Sequence, residues 1–149
     1  MAGCGGGSKP PVAVQGDGYR FDAPAGWTVT RTSTSVEATH GNEAVSVTTF
    51  RLTKPFRPSL WKEAVAELDG VAAKLAAELQ GSVAASRTVE AGGTTARQYE
   101  LAFTKDGDRL VEQITFVLRG RREYELLCRH RAGKDEPACA QLVVSFRPA

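Results

Sequence analysis

The sequence predicts an α+β domain in which an antiparallel β-sheet packs against one long amphipathic helix and a short C-terminal helix. Three observations predict it. Period-two alternation of apolar and polar residues recurs on both sides of one uninterrupted helical stretch, residues 61–79. Turn dipeptides such as Asp106-Gly107 join neighbouring alternating runs as hairpins, which are antiparallel by construction. The helix carries a single apolar stripe, so it needs one sheet face to cover.

The first strand is expected at Tyr19-Arg20-Phe21-Asp22-Ala23, where apolar and polar residues alternate, and Pro24-Ala25-Gly26 turns the chain. Residues 27–31 and the Thr/Ser-rich stretch through Thr39 read as two short strands, favoured by their β-branched side chains. His40-Gly41-Asn42 connects them to a strand over 44–52, with Val45, Val47 and Thr49 on one face. The two prolines of Thr53-Lys54-Pro55-Phe56-Arg57-Pro58 exclude a regular ladder and place Phe56 on a rigid loop. Ser59 is the expected N-cap of the helix. Its stripe is Trp61, Val65, Leu68, Ala72, Leu75 and Leu79, with Gly70 its weak point and Gly81 its stop.

Period two then returns. Residues 83–90 form a strand, Ala91-Gly92-Gly93 a turn, and 97–103 a strand with Tyr99, Leu101 and Phe103 facing in. Asp106-Gly107 supplies the two positive-φ positions of a tight hairpin. Leu110, Glu112, Ile114, Phe116 and Leu118 share the next face, with Glu112 the misfit, and Gly120 marks another tight turn into 124–128. Residues 135–144 read as a short helix with acids and proline in its first turn, and Ser145-Phe146-Arg147-Pro148 leaves it. The whole is a sandwich of two or three layers.

Composition narrows function. A chain of 149 residues, 42% hydrophobic, suffices for one core: residues 1–18 read as a flexible Gly/Pro tether and 19–149 as the single domain. A net charge of +2 gives no global signature of nucleic-acid binding. No apolar run approaches the roughly 20 residues of a membrane span. The sequence contains no GxSxG, Walker or HExxH motif and no clustered metal ligands, so no catalytic residue, metal or cofactor is expected and the chain reads as a non-enzyme. His40 and His130 read as solvated side chains, and turn chemistry accounts for Asp106 and Asp108.

The cysteines speak to location. Ala2-Gly3-Cys4 matches the last three positions of a lipobox, where the cysteine thiol receives a diacylglyceryl group, with Met1 standing where leucine is usual. The following Gly5-Gly6-Gly7-Ser8-Lys9-Pro10-Pro11 has a tether's composition. No basic and apolar segment precedes Cys4, so export by this route requires an upstream signal; the other reading is a chance cysteine in a linker. Cys128 and Cys139 are the remaining thiols. Bonded, they imply an oxidising compartment; unbonded, they are buried free thiols.

The opening Tyr19-Arg20-Phe21-Asp22-Ala23-Pro24-Ala25-Gly26-Trp27 resembles the F-x-x-P-x-G-W start of PsbP-like domains, including small bacterial lipoproteins of that fold. The likeness continues through the helix after Ser59, the Gly-Gly-Thr-Thr-Ala-Arg-Gln-Tyr-Glu strand from Gly92, Gln113-Ile114-Thr115-Phe116 and the closing helix before Ser145-Phe146. The resemblance implies an antiparallel sheet with helices, Trp27 in the core, and accessory, scaffold or binding roles; it transfers no catalytic residue.

Two features are candidates for recognition. Phe56 and Arg57 on the proline loop offer a rigid aromatic anchor. Arg119, Arg121, Arg122, Arg129, Arg131 and Lys134 are expected to form a local basic edge, attractive to anionic headgroups or acidic wall polymers, or else to protect an exposed strand edge from pairing. The expectation is an extracytoplasmic binding or accessory module on the bacterial cell membrane, anchored at Cys4, whose partner is an envelope protein or complex. The alternative is a carrier of a lipid or other apolar small molecule between sheet and helix.

Overall fold

The computed structural model describes residues 9–134 and 136–149, so the lipobox-like stretch with Cys4 lies outside the described residues. Among the described residues, nine strands form two sheets, accompanied by two α-helices. The larger sheet takes the order β3-β4-β5-β8-β7-β6: β3 (Thr28–Arg31), β4 (Ser35–His40), β5 (Glu43–Phe56), β6 (Ser82–Ala91), β7 (Thr94–Lys105) and β8 (Asp108–Arg131). The smaller has β2 (Tyr19–Ala23) between β1 (Val12–Gly16) and β9 (Arg147–Pro148). Helix α1 (Trp61–Glu78) follows a short 3-10 turn, Pro58–Leu60, and α2 (Pro137–Ser145) precedes β9.

Strand β8 is the spine. Straight, a strand of this length would hold its ends about 75 Å apart. Instead the Ala132 amide donates to Arg109 O at 2.9 Å, and Arg129 meets Glu112 at 2.9 Å. β8 therefore doubles back, and these pairings centre its turn on Gly120-Arg121, where Gly120 has φ 58°. The arm from Asp108 pairs with β7, and the arm ending at Arg131 pairs with β5. Reversal at Gly120 puts Leu118, Phe116, Ile114 and Leu127 on one face, and Val117, Tyr124, Leu126 and Cys128 on the other.

Each face has its own core, so the sandwich has three layers. Under α1, Leu68, Ala72 and Ala76 pack on Tyr99, Leu101, Ile114 and Phe116. On the far side, Phe21, Val45, Val47, Leu126, Leu142 and Phe146 fill the space beneath the small sheet and α2. The predicted stripe of α1 is the buried one, joined by Ala64 and Ala76. Asp106 and Gly107 have φ of 52° and 82°, as the β7–β8 hairpin requires.

Several expectations are corrected. Among the described residues, strand pairing starts at Val12 rather than Tyr19: Val12 to Gly16 pair residue by residue with β2, and Val14 is buried, so this part of the expected tether is a strand. The second half of β5 extends through Pro55 to Phe56. β4 pairs as far as Thr48 and Thr49 N donates to Thr34 O at 2.8 Å, leaving the outer side of β5 open beyond, and the register shifts between Arg51 and Phe56; there a missing amide breaks no regular ladder. Ser59 does not cap α1; Leu60 holds that position without a side-chain cap bond, and the preceding 3-10 turn closes with Leu60 N donating to Arg57 O at 2.8 Å. The left-handed residue that ends α1 is Gln80, φ 57°, with Gly81 N donating to Ala76 O at 2.8 Å. Gly81 answers to a different demand: a Cβ there would lie 2.1 Å from Ala102 O. Trp27 is half-buried at the rim of the core and stacks on His40.

Candidate functional site: a groove between helix and sheet

Helix α1 packs over β6 and β7 and leaves the side towards β5 uncovered. An open groove of about 510 Å³ results, walled by residues 52–56 of β5 and by α1, with Leu118 and Glu123 of β8 also lining it. Its lining is largely apolar: Leu52, Phe56, Leu60, Ala64, Leu68, Val71 and Leu118. Leu60 and Val71 are 42% and 43% exposed, so apolar side chains reach the mouth as well as the floor. Three carboxylates, Glu63, Glu67 and Glu123, line it with one cation, Lys54.

Burial raises the Glu123 carboxyl above the ordinary carboxylate value. Glu125, two residues on, is raised by burial first and then by its neighbours Glu123 and Glu112. The other end of this face is neutralised, where Glu112, 5% exposed, accepts from Arg129 Nε and Nη2 at 3.0 and 2.9 Å. Between α1 and β7, Arg97 and Tyr99 both bond Asp69, and desolvation foremost pushes the Tyr99 hydroxyl up to about 12. These polar contacts hold α1 in place. Among the described residues, no three His, Cys, Asp or Glu side chains are grouped to hold a metal ion.

The structure separates the sequence candidates. Phe56 lines the groove and meets Trp61 edge-on at 6.4 Å, so it both staples the start of α1 and presents a surface. Arg57 is exposed beside it. Arg121 Nη1 donates to Thr53 O on the groove wall at 3.4 Å. The single basic edge does not form. Arg119, Arg121 and Arg122 sit at the β8 turn, whereas Arg129 and Arg131 lie at the other end of its second arm, about 30 Å of extended chain from Arg121 to Arg131. The distant group is also paired: Arg129 with Glu112 and Arg131 with Asp108 at 3.6 Å; exposed Lys134 follows. His130 Nδ1 lies 2.8 Å from Arg131 O, and His40 lines a second, more open groove of about 660 Å³ with Trp27 and Pro137.

Cys128 and Cys139 are bonded, with Cα atoms 5.3 Å apart, and tie the second arm of β8 to α2. No helix among the described residues is long and apolar enough to cross a membrane.

No protein-family model matches the sequence, and no curated protein matches it. Solved structures do match in shape. The cyanobacterial PsbP of Synechocystis, CyanoP, superposes with a TM-score of 0.70 at 12% identity, covering 100% of this chain and 98% of its own. LpqN of Mycobacterium tuberculosis, a protein involved in cell envelope biogenesis, gives 0.50 at 12% identity over 94% of this chain and 87% of its own. A Bacteroides thetaiotaomicron protein gives 0.62 at 9% identity over 95% of this chain, which spans 49% of that protein's length. The fold is PsbP-like, as the opening motif implied.

Proposed function

We propose that this chain is an extracytoplasmic accessory module, anchored to the bacterial membrane through Cys4, that binds an envelope partner in the groove between α1 and β5. The groove carries the reading: it combines a rigidly held aromatic, Phe56, with the exposed apolar side chains Leu60 and Val71. Exposed apolar surface of this kind marks interaction sites, and an aromatic already immobilised loses little entropy when a partner covers it. The Cys128–Cys139 bond supports the compartment, because such bonds persist where thiols are not kept reduced. An involvement in envelope biogenesis belongs to LpqN; here it supports the choice of partner class.

The groove's volume favours one second reading, carriage of an apolar small molecule, since small-molecule sites occupy about 300–1,000 Å³. A photo-crosslinking residue at Val71, in cells of the native host, tests both. One discrete envelope protein captured at Val71, lost with Leu60→Glu and absent when the probe sits at exposed Ala73, supports the module. A copurifying lipid in native mass spectra, displaced by Leu60→Glu, supports the carrier. Neither adduct nor lipid would sink both. The anchor is tested separately: intact mass from the membrane fraction should show a diacylglyceryl addition at Cys4, and an unmodified soluble chain would remove the anchor from the proposal.

A further inference from the structure

We propose that arginines gathered around the β1–β2 turn form a docking face for an anionic bilayer surface. The register supplies the first observation. Arg51 of β5 lies directly opposite Arg122 of β8, and Arg20 of β2 lies directly opposite Arg147 of β9. Like charges directly opposed across a ladder are destabilising. None of these four arginines closes an ion pair among the described residues, and all are exposed. Arg119, also exposed, flanks the β8 turn beside Arg122.

The two pairs meet at one place. Arg122 Nη1 donates to Asp17 O at 3.2 Å, and Ala149 N, two residues past Arg147, donates to Gly18 O at 2.8 Å. Arg147 Nη1 is held by Val144 O and Phe146 O at 2.9 and 2.7 Å. Carbonyl partners fix a guanidinium without neutralising it, so the charge is both positioned and available. Asp17 lies in the turn itself, and Asp22, two residues along β2 from Arg20, is engaged by Gln141 at 3.5 Å.

Strand-edge protection accounts for only part of the pattern: Arg51 lies where the outer side of β5 is open and Arg147 is on the edge strand β9, but Arg20 is on the central strand of the small sheet and Arg122 is on β8, between β5 and β7 in the large one. None of the five arginines lines either groove. Exposed and spread over strands of both sheets, the five side chains suit an extended anionic surface. Val144, 68% exposed beside Arg147, adds an apolar contact. Headgroups within a Debye length, about 8–10 Å, would act on all five arginines together. The inference deepens the proposed envelope location and rests on it.

The test uses the full chain without its acyl group, so that it does not depend on the anchor, and vesicles of phosphatidylglycerol with phosphatidylcholine. Co-sedimentation should exceed that on pure phosphatidylcholine by at least about tenfold at low salt and fall steeply as salt rises. R20E/R147E should reduce it about tenfold, whereas R109E, at the far end of β8, should leave it unchanged. Should R20E/R147E fold poorly by circular dichroism, R51Q/R119Q replaces it, since both side chains are exposed. Equal binding to neutral vesicles, or no effect of either arginine variant, overturns the inference. Binding to a poly-glutamate peptide but not to vesicles overturns it in favour of an acidic protein partner. Vesicle binding in a chain whose native mass shows no acyl group leaves this face standing and removes only the anchor.

Discussion

Two half-buried carboxyls, Glu123 and Glu125, on the second arm of β8 differ in consequence from the paired Glu112. Glu112 has Arg129, while Glu123 and Glu125 have no ion-pair partner among the described residues, and burial raises both. A carboxyl raised on folding favours the folded state while it is protonated. That contribution is present below the unfolded carboxylate value and is lost as pH rises through the folded one. Glu125→Gln, isosteric and uncharged, is therefore expected to melt higher than the parent chain at pH 7, with the difference shrinking towards pH 4. Equal shifts at both pH values, followed by circular dichroism, would show that charge is not the cause. None of this was legible in the sequence, where Glu112 stood out as a misfit but Glu123 and Glu125 occupied ordinary polar positions of an alternating strand. Gln80 was equally silent: glycine at 81 suggested the helix stop, yet the left-handed turn falls one residue earlier.

At the scale of elements, the β8 hairpin determines which residues become neighbours. Its two arms are clasped by Glu112–Arg129. Removing one member leaves a buried charge alone. Arg129→Leu is expected to cost about 2–3 kcal/mol, discounted for the partial exposure of the arginine, and adding Glu112→Leu should restore most of it. Urea denaturation of the two single variants and the double variant measures this directly; additive losses would mean the pair does not couple the arms. The hairpin itself was readable, since Gly120 interrupts an alternating run. Its reach was not, because the pairing of Arg129 with Glu112 depends on how far the two arms run alongside each other.

Across the whole molecule, the disulfide joins the central sheet to α2, which covers the second core. Closing a loop of this size stabilises by about 3 kcal/mol on the chain-entropy account. Cys139→Ser should therefore lose about that much, and reductant should bring the parent chain to the same stability without affecting the variant. A parent chain indifferent to reductant would place the bond outside the folding equilibrium and weaken the argument for an oxidising compartment.

Local pattern alone determined the fold class, the long helix and its stripe, both glycine hairpins and the PsbP-like opening, because periodicity and turn chemistry are written in consecutive residues. The strand at Val12 escaped that reading: five residues among glycine and proline carry too little alternation, and their stability comes from pairing with β2. The groove beside Phe56, the division of the basic residues into paired and unpaired groups, and the opposed arginines at the β1–β2 turn were decided only by tertiary structure. Each depends on strand register and on where α1 stops covering the sheet. Those are relations between segments tens of residues apart, set by how two cores fill at once.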